Sequence, residues 1–257
     1  MSFVFLNPMR LLYTIWCALL FAILFTLFFP FIFLCIQWDS GRRYAQEAVR
    51  VMGKCFFFLI GMPIRVDWRF RPDAKQAYVY CANHFSYFDI AVTGVVVPGF
   101  YAFIGKKGVK KIPLFGYMFA RLHIMVDREA ARSRAYSLAK SIRVLKEGRS
   151  IIIFPEGGIL TKEPPKMAYP FKDGAFIMAI QQQVPIVPMT LVNNHYILPD
   201  ESPIRMRWAP VKVVFHEPIP TAGLTPDDLE RLKEQTFRII DNELHSQWAK
   251  TIPYESR

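Results

Sequence analysis

The sequence predicts an α/β protein, with a largely parallel central sheet flanked by helices and preceded by an N-terminal membrane-embedded helical segment. Three observations lead there. Positions 11–36 hold no charged residue. Beyond about Ile64, short apolar runs alternate with longer amphipathic stretches, the pattern of strands alternating with helices. The run Ser-Ile-Ile-Ile-Phe at 150–154 is apolar throughout, as expected of a strand covered on both faces of a parallel sheet.

Composition narrows the classes further. Of 257 residues, 53% are hydrophobic, 21% are charged and 23 are Phe, and the net charge is +11. A disordered chain would be poor in aromatics and rich in charge. No heptad or glycine period is visible. The four cysteines, Cys17, Cys35, Cys55 and Cys81, lie in apolar surroundings without a Cys-x-x-Cys pair, which argues against a disulfide framework or a zinc site, and no metal is indicated.

The first element is the apolar run 11–36. A helix needs about 20 apolar residues to cross a bilayer, so the run is long enough to span. It is too long for the core of a secretory signal and lacks a small-residue cleavage site. A re-entrant hairpin broken near Pro30 is the alternative. A second apolar stretch, 55–62, is too short to span and suits the membrane interface. The chain thus divides into an anchor at 1–63 and a larger domain at 64–257. Arg10 precedes the run, whereas Arg42, Arg43, Arg50, Lys54, Arg65, Arg69 and Arg71 follow it. Positive-inside bias places the larger domain on the cytoplasmic side of an inner, cytoplasmic membrane. The basic stretch 101–150 favours an anionic lipid surface, and no nucleic-acid-binding motif appears.

Strands are expected at 77–82, 100–104, 123–126, 150–154, 186–191 and 211–216. Helices are expected at 88–96, 112–121, 129–147 and 174–182. A last helix at 226–248 should open with Thr225 as N-cap and Pro226 in the first turn. The irregular stretch 157–170, with Pro164, Pro165 and Pro170, should lie near the site.

The chemistry begins where the strand 77–82 runs into Asn83-His84-Phe85-Ser86-Tyr87-Phe88-Asp89. A His and a carboxylate can serve as general base and orienting partner. Five apart on one helix they would point about 140° away from each other. They meet only if His84 lies in the turn before the helix and Asp89 in its first turns, with Ser86 where an N-cap belongs. Taken alone, the pair is also what an ordinary capped loop presents. A second element, Phe154-Pro155-Glu156-Gly157-Gly158, delivers a carboxylate and glycines at the end of another strand, and glycines let a ligand approach the backbone.

Between and after these come Lys106-Lys107-Gly108-Val109-Lys110-Lys111-Ile112-Pro113-Leu114-Phe115-Gly116, Val126-Asp127-Arg128, Phe171-Lys172-Asp173-Gly174 and Val184-Pro185-Ile186-Val187-Pro188. In this order and spacing the set resembles the 1-acylglycerol-3-phosphate acyltransferases, glycerolipid acyltransferases with an N-H-x-x-x-x-D block. The resemblance covers about 75–220. It implies acyl transfer from a thioester donor, acyl-coenzyme A or acyl carrier protein, to the free hydroxyl of lysophosphatidic acid, giving phosphatidic acid at the bilayer, with no bound cofactor. It implies His84 as base, Asp89 as its partner, and Lys107, Arg128, Glu156, Gly157 and Lys172 as acceptor-site residues. Ser86 as an acylated nucleophile is the rival mechanism, but it lacks a Gly-x-Ser-x-Gly elbow. Lys106, Lys110 and Lys111 are expected to be membrane-surface or solvated lysines.

One departure bears on the substrate. The family's third block usually reads F-P-E-G-T-R; here the last two positions are Gly158 and Ile159. The guanidinium that best matches a phosphate is missing there, which leaves an O-acyltransferase acting on a lyso-amino-acid lipid (ornithine or glycine type) as the alternative. A non-catalytic, membrane-tethered lipid-binding module is the other. His123, His195, His216 and His245 have no partner at useful spacing.

Overall fold

A computed structural model describes residues 8–127, 129–161 and 163–251. The chain opens with α1 (Pro8–Cys35), reverses through 36–41, and returns as α2 (Arg42–Leu59). Helix α1 continues through Pro30, so the reversal comes at Gly41, where a Cβ would overlap the Cys35 carbonyl oxygen. The stretch 55–62 is not a separate segment. It comprises the last turn of α2 and the turn 60–62 that follows, with Phe56, Phe57 and Met62 buried and Phe58 turned outward.

By length and composition α1 suffices to cross a membrane; 28 residues extend about 42 Å. Cys17, Leu20, Leu24 and Ile32 are nevertheless buried against the rest of the protein, while Leu12, Trp16, Leu19, Ile23, Leu27 and Phe31 are exposed. Those six recur at intervals of three or four and form one outward apolar stripe.

Seven strands follow: β1 (Ile64–Trp68), β2 (Val79–Ala82), β3 (Tyr101–Lys106), β4 (Ile124–Val126), β5 (Ser150–Ile153), β6 (Ile186–Leu191) and β7 (Val211–Phe215). Their order in the sheet is β1-β7-β6-β2-β5-β3-β4. All neighbours are parallel except β6 and β7. The middle strands β2 and β6 are buried at every position, as a sheet covered on both faces requires. The edge strand β1, by contrast, alternates half-buried and exposed residues.

The remaining helices are α3 (Phe88–Val96), α4 (Phe115–Leu122), α5 (Ala131–Lys146), α6 (Gly174–Gln182), α7 (Asn194–Ile197) and α8 (Leu229–Thr251). Period-two alternation sorts the sheet into two cores. Tyr80 and Ala82 face α1, α2 and α3, whereas Val79 and Cys81 face α5, α6 and α8. Three expectations need correction. Strand β1 and helices α2 and α7 were not foreseen. Helix α4 begins at Phe115, because 112–114 contains Pro113 and Leu114 at φ 59. A 3-10 turn, Pro226–Asp228, precedes α8, with Thr225 and Asp228 forming a capping box.

Candidate active site

The site forms at the carboxyl ends of β2 and β5, which lie side by side in the sheet; open α/β sheets bind ligands at such ends. Asn83 fastens the end of β2 to β6. Its Oδ1 accepts the Leu191 N–H at 2.8 Å and its Nδ2 donates to the Leu191 carbonyl at 3.0 Å. His84 therefore leaves the strand from a clamped backbone. On its other side, the His84 N–H donates to Glu156 Oε1 at 2.6 Å.

Ser86 starts α3. Its hydroxyl accepts the Phe88 N–H at 3.0 Å and donates to the Leu198 carbonyl at 2.6 Å. That places Asp89 in the first turn of α3, where its Oδ2 lies 2.9 Å from His84 Nδ1. The same oxygen accepts the Phe85 and Ser86 N–H groups, each at 2.9 Å, and Asn194 Nδ2 donates to Oδ1 at 2.8 Å. A carboxylate partner fixes the proton on Nδ1 and leaves Nε2 as the basic atom. The His84 ring stacks on Phe154, with centroids 4.1 Å apart.

Glu156 is buried behind this turn at 1% exposure, with Oε2 accepting the Ala168 N–H at 2.9 Å. Burial pushes its carboxyl up to about 7; the Ala168 and His84 N–H groups pull the other way, and the charge of Asp89 adds to the rise. In the next position Gly157 has φ +90, and a Cβ there would lie 3.4 Å from Lys172 Cγ. The positive φ is what calls for glycine here, since the contact with Lys172 is an ordinary one.

A cavity of about 920 Å³ opens in front of His84. Ile90, Phe103, Phe115 and Phe119 supply apolar wall. Lys106, Lys107, Lys110 and Lys111, from the end of β3 and the 3-10 turn Lys107–Lys111, line it together. Gly157, Gly158, Ile159 and Leu160 line it as well, with Asp127, Glu129 and Asp200.

The structure thus gathers His84, Asp89, Glu156 and Gly157 at one pair of strand ends. Lys107 stands on the cavity wall beside three lysines that sequence reasoning had assigned to solvent or the membrane surface. Glu156 braces the backbone and is not part of that wall. Lys172 is exposed, its stem lying along Gly157. Arg128 lies outside the described residues. Sequence reasoning missed two side chains that touch the dyad, Phe154 and Asn194. The strand-end position of Phe154 was a usable signal. Asn194, 105 residues from Asp89, gave none.

A buried His-Asp pair thus stands at the strand ends and opens on a cavity with apolar and lysine-lined walls. The acyltransferase family model matches residues 64–192, and the chain belongs to that family. Among its relatives are proteins named 1-acyl-sn-glycerol-3-phosphate acyltransferase. The one from Cocos nucifera is 31% identical over 201 residues, 77% of this chain and 62% of that protein. The one from Limnanthes alba is 30% identical over 200 residues, 77% and 69%. The chloroplastic one from Brassica napus is 34% identical over 149 residues, 58% and 42%. The chain thus spans less than two thirds of the length of the coconut and rapeseed proteins. The crystal structure of the 1-acyl-sn-glycerophosphate acyltransferase of Thermotoga maritima shares the fold, with a TM-score of 0.74 over 95% of this chain and 100% of that one, at 21% identity.

Proposed function

We propose that the protein transfers a fatty acyl chain from a thioester donor to the free hydroxyl of lysophosphatidic acid, giving phosphatidic acid for phospholipid synthesis. The observation that carries this reading is the His84 Nδ1 to Asp89 Oδ2 contact of 2.9 Å, with His84 lining the cavity. An alcohol is a weak nucleophile at neutral pH, so His84 Nε2 takes its proton as the oxygen attacks the thioester carbonyl. Asp89 holds the imidazole and stabilises the imidazolium that forms. The tetrahedral intermediate then collapses, the C–S bond breaks, and the thiolate leaves with the proton from His84. Ser86 is poorly placed as a nucleophile, since its hydroxyl is engaged by Leu198 and Phe88.

In this reading the lysines at 106, 107, 110 and 111 receive the acceptor phosphate, in place of the arginine that Ile159 replaces. The names of the relatives favour lysophosphatidate as acceptor. The exposed stripe of α1 favours a membrane-bound enzyme taking its acceptor from the bilayer, and the basic flank after it favours the cytoplasmic side of an inner membrane. The donor is acyl-coenzyme A or acyl carrier protein.

The test is acyl transfer by the purified protein in lipid nanodiscs, with lysophosphatidic acid and a lyso-amino-acid lipid competing as acceptors. His84→Ala should lower turnover at least about 100-fold. Full turnover in that variant refutes the base assignment. Preference for the amino-acid lipid refutes the phosphate acceptor.

A further inference from the structure

Asp89 makes more hydrogen bonds than its pairing with His84 requires. Oδ2 serves His84 and two backbone N–H groups, all at 2.9 Å. Oδ1 is met from a distant part of the chain by Asn194 Nδ2 at 2.8 Å. Both side chains are buried, Asp89 and Asn194 each at 1% exposure. A carboxylate only accepts, so the Asn194 amide must present its NH2 group to it.

That orientation leaves Asn194 Oδ1 buried without a partner among the described residues, and both ring nitrogens of the adjoining His195 share that condition. Buried polar groups are nearly always paired. Unpaired atoms on neighbouring residues beside a candidate base mark a place where another requirement overrides local satisfaction. The turn that carries them is well anchored. Asn193 Oδ1 accepts the Lys212 N–H at 3.0 Å and its Nδ2 donates to the Pro210 carbonyl at 2.9 Å. At the other end, the Leu198 carbonyl receives the Ser86 hydroxyl. Helix α7 is therefore tied both to the start of β7 and to the start of α3.

We propose that Asn194 is a positioning residue for acyl transfer. By holding Oδ1, it stops the Asp89 carboxylate from rotating about its Cβ–Cγ bond, keeps Oδ2 on His84 Nδ1, and so keeps Nε2 directed into the cavity. Asn194 does not line the cavity, so its effect falls on kcat and leaves KM unchanged. The role rests on the acyl-transfer reading above.

The test is a double-mutant cycle on the full chain in nanodiscs, with acyl-coenzyme A and lysophosphatidic acid. It uses Asn194→Leu, close in volume but without the amide, alone and combined with Asp89→Asn. Asn194→Leu should lower kcat roughly 10- to 100-fold with both KM values within about twofold, and should cost less than about twofold when Asp89 is already Asn. Unchanged kcat, or the same fold-loss in both backgrounds, overturns the proposal. Asn194→Ser goes through the same cycle with the same expectation, and covers the case in which leucine prevents folding. Wild-type and His84→Ala controls separate the failures: absence of wild-type turnover refutes the acyl-transfer reading, retained turnover in His84→Ala refutes the base assignment, and in either case the role of Asn194 falls with it.

Discussion

The imidazole of His84 lies almost flat on the ring of Phe154, 15° between planes and 4.1 Å between centroids. The contact joins the ends of β2 and β5 through the two side chains. Asp89 fixes one edge of the imidazole, and Phe154 supports its face. Phe154→Ala should free the ring to swing and lower kcat about 10- to 100-fold, the scale of a misplaced catalytic group. Steady-state kinetics on the folded variant provide the check; wild-type kcat would remove Phe154 from the mechanism.

Ser86 holds a structural position. Its hydroxyl bonds the Phe88 N–H and the Leu198 carbonyl, so Ser86→Ala should destabilise the protein by about 1 to 3 kcal/mol, the scale of buried hydrogen bonds lost. Much of its turnover should remain, and mass spectrometry after a pulse of donor should find no acyl group on the wild-type protein. A trapped acyl-serine would overturn the direct mechanism.

Glu156 makes stability depend on pH in a defined sense. Its carboxyl titrates at about 7 instead of 4.5, so between those values the folded protein holds a proton that the unfolded chain has released. Stability from this group therefore falls as pH rises from 4.5 to 7 and stays low above that. Glu156→Gln does not titrate. The Tm of wild type minus that of the variant should decrease across this window, and a difference independent of pH would contradict the burial of an ionisable group here.

Lys107 is the lysine that the motif singles out, and it lines the cavity together with Lys106, Lys110 and Lys111. Lys107→Ala should raise KM for lysophosphatidic acid about tenfold, the scale of one charge-assisted hydrogen bond, with kcat within about threefold. An unchanged KM would move the phosphate to the neighbouring lysines.

Much of the scaffold was legible in the residue pattern. Helices α3 and α6 run over 88–96 and 174–182 as expected, and six of the seven strands fall within a few residues of their expected places. These elements announce themselves locally, through apolar runs, caps and flanking turns. Helix α2 did not, because its basic first half resembles a membrane flank and its apolar second half a separate interfacial segment. Only packing reveals that Met52, Phe56 and Phe57 share one buried face. Strand β1 was missed for a related reason. Its alternating Ile64-Arg65-Val66-Asp67-Trp68 suits a half-exposed edge, and its partner β7 lies far along the chain.

The site divides along the same line. His84 and Asp89 are five residues apart, and one capped turn brings them together, so a sequence motif can encode the pair. Glu156 reaches the His84 backbone from 72 residues away, and Asn194 reaches Asp89 from 105. Those meetings depend on β2 lying between β5 and β6 in the sheet. Local propensity cannot specify strand order, because it arises from burial of both sheet faces and from contacts between segments distant in the chain. The dyad was thus written in the sequence, while its support by Phe154, Glu156 and Asn194 was settled by the tertiary fold.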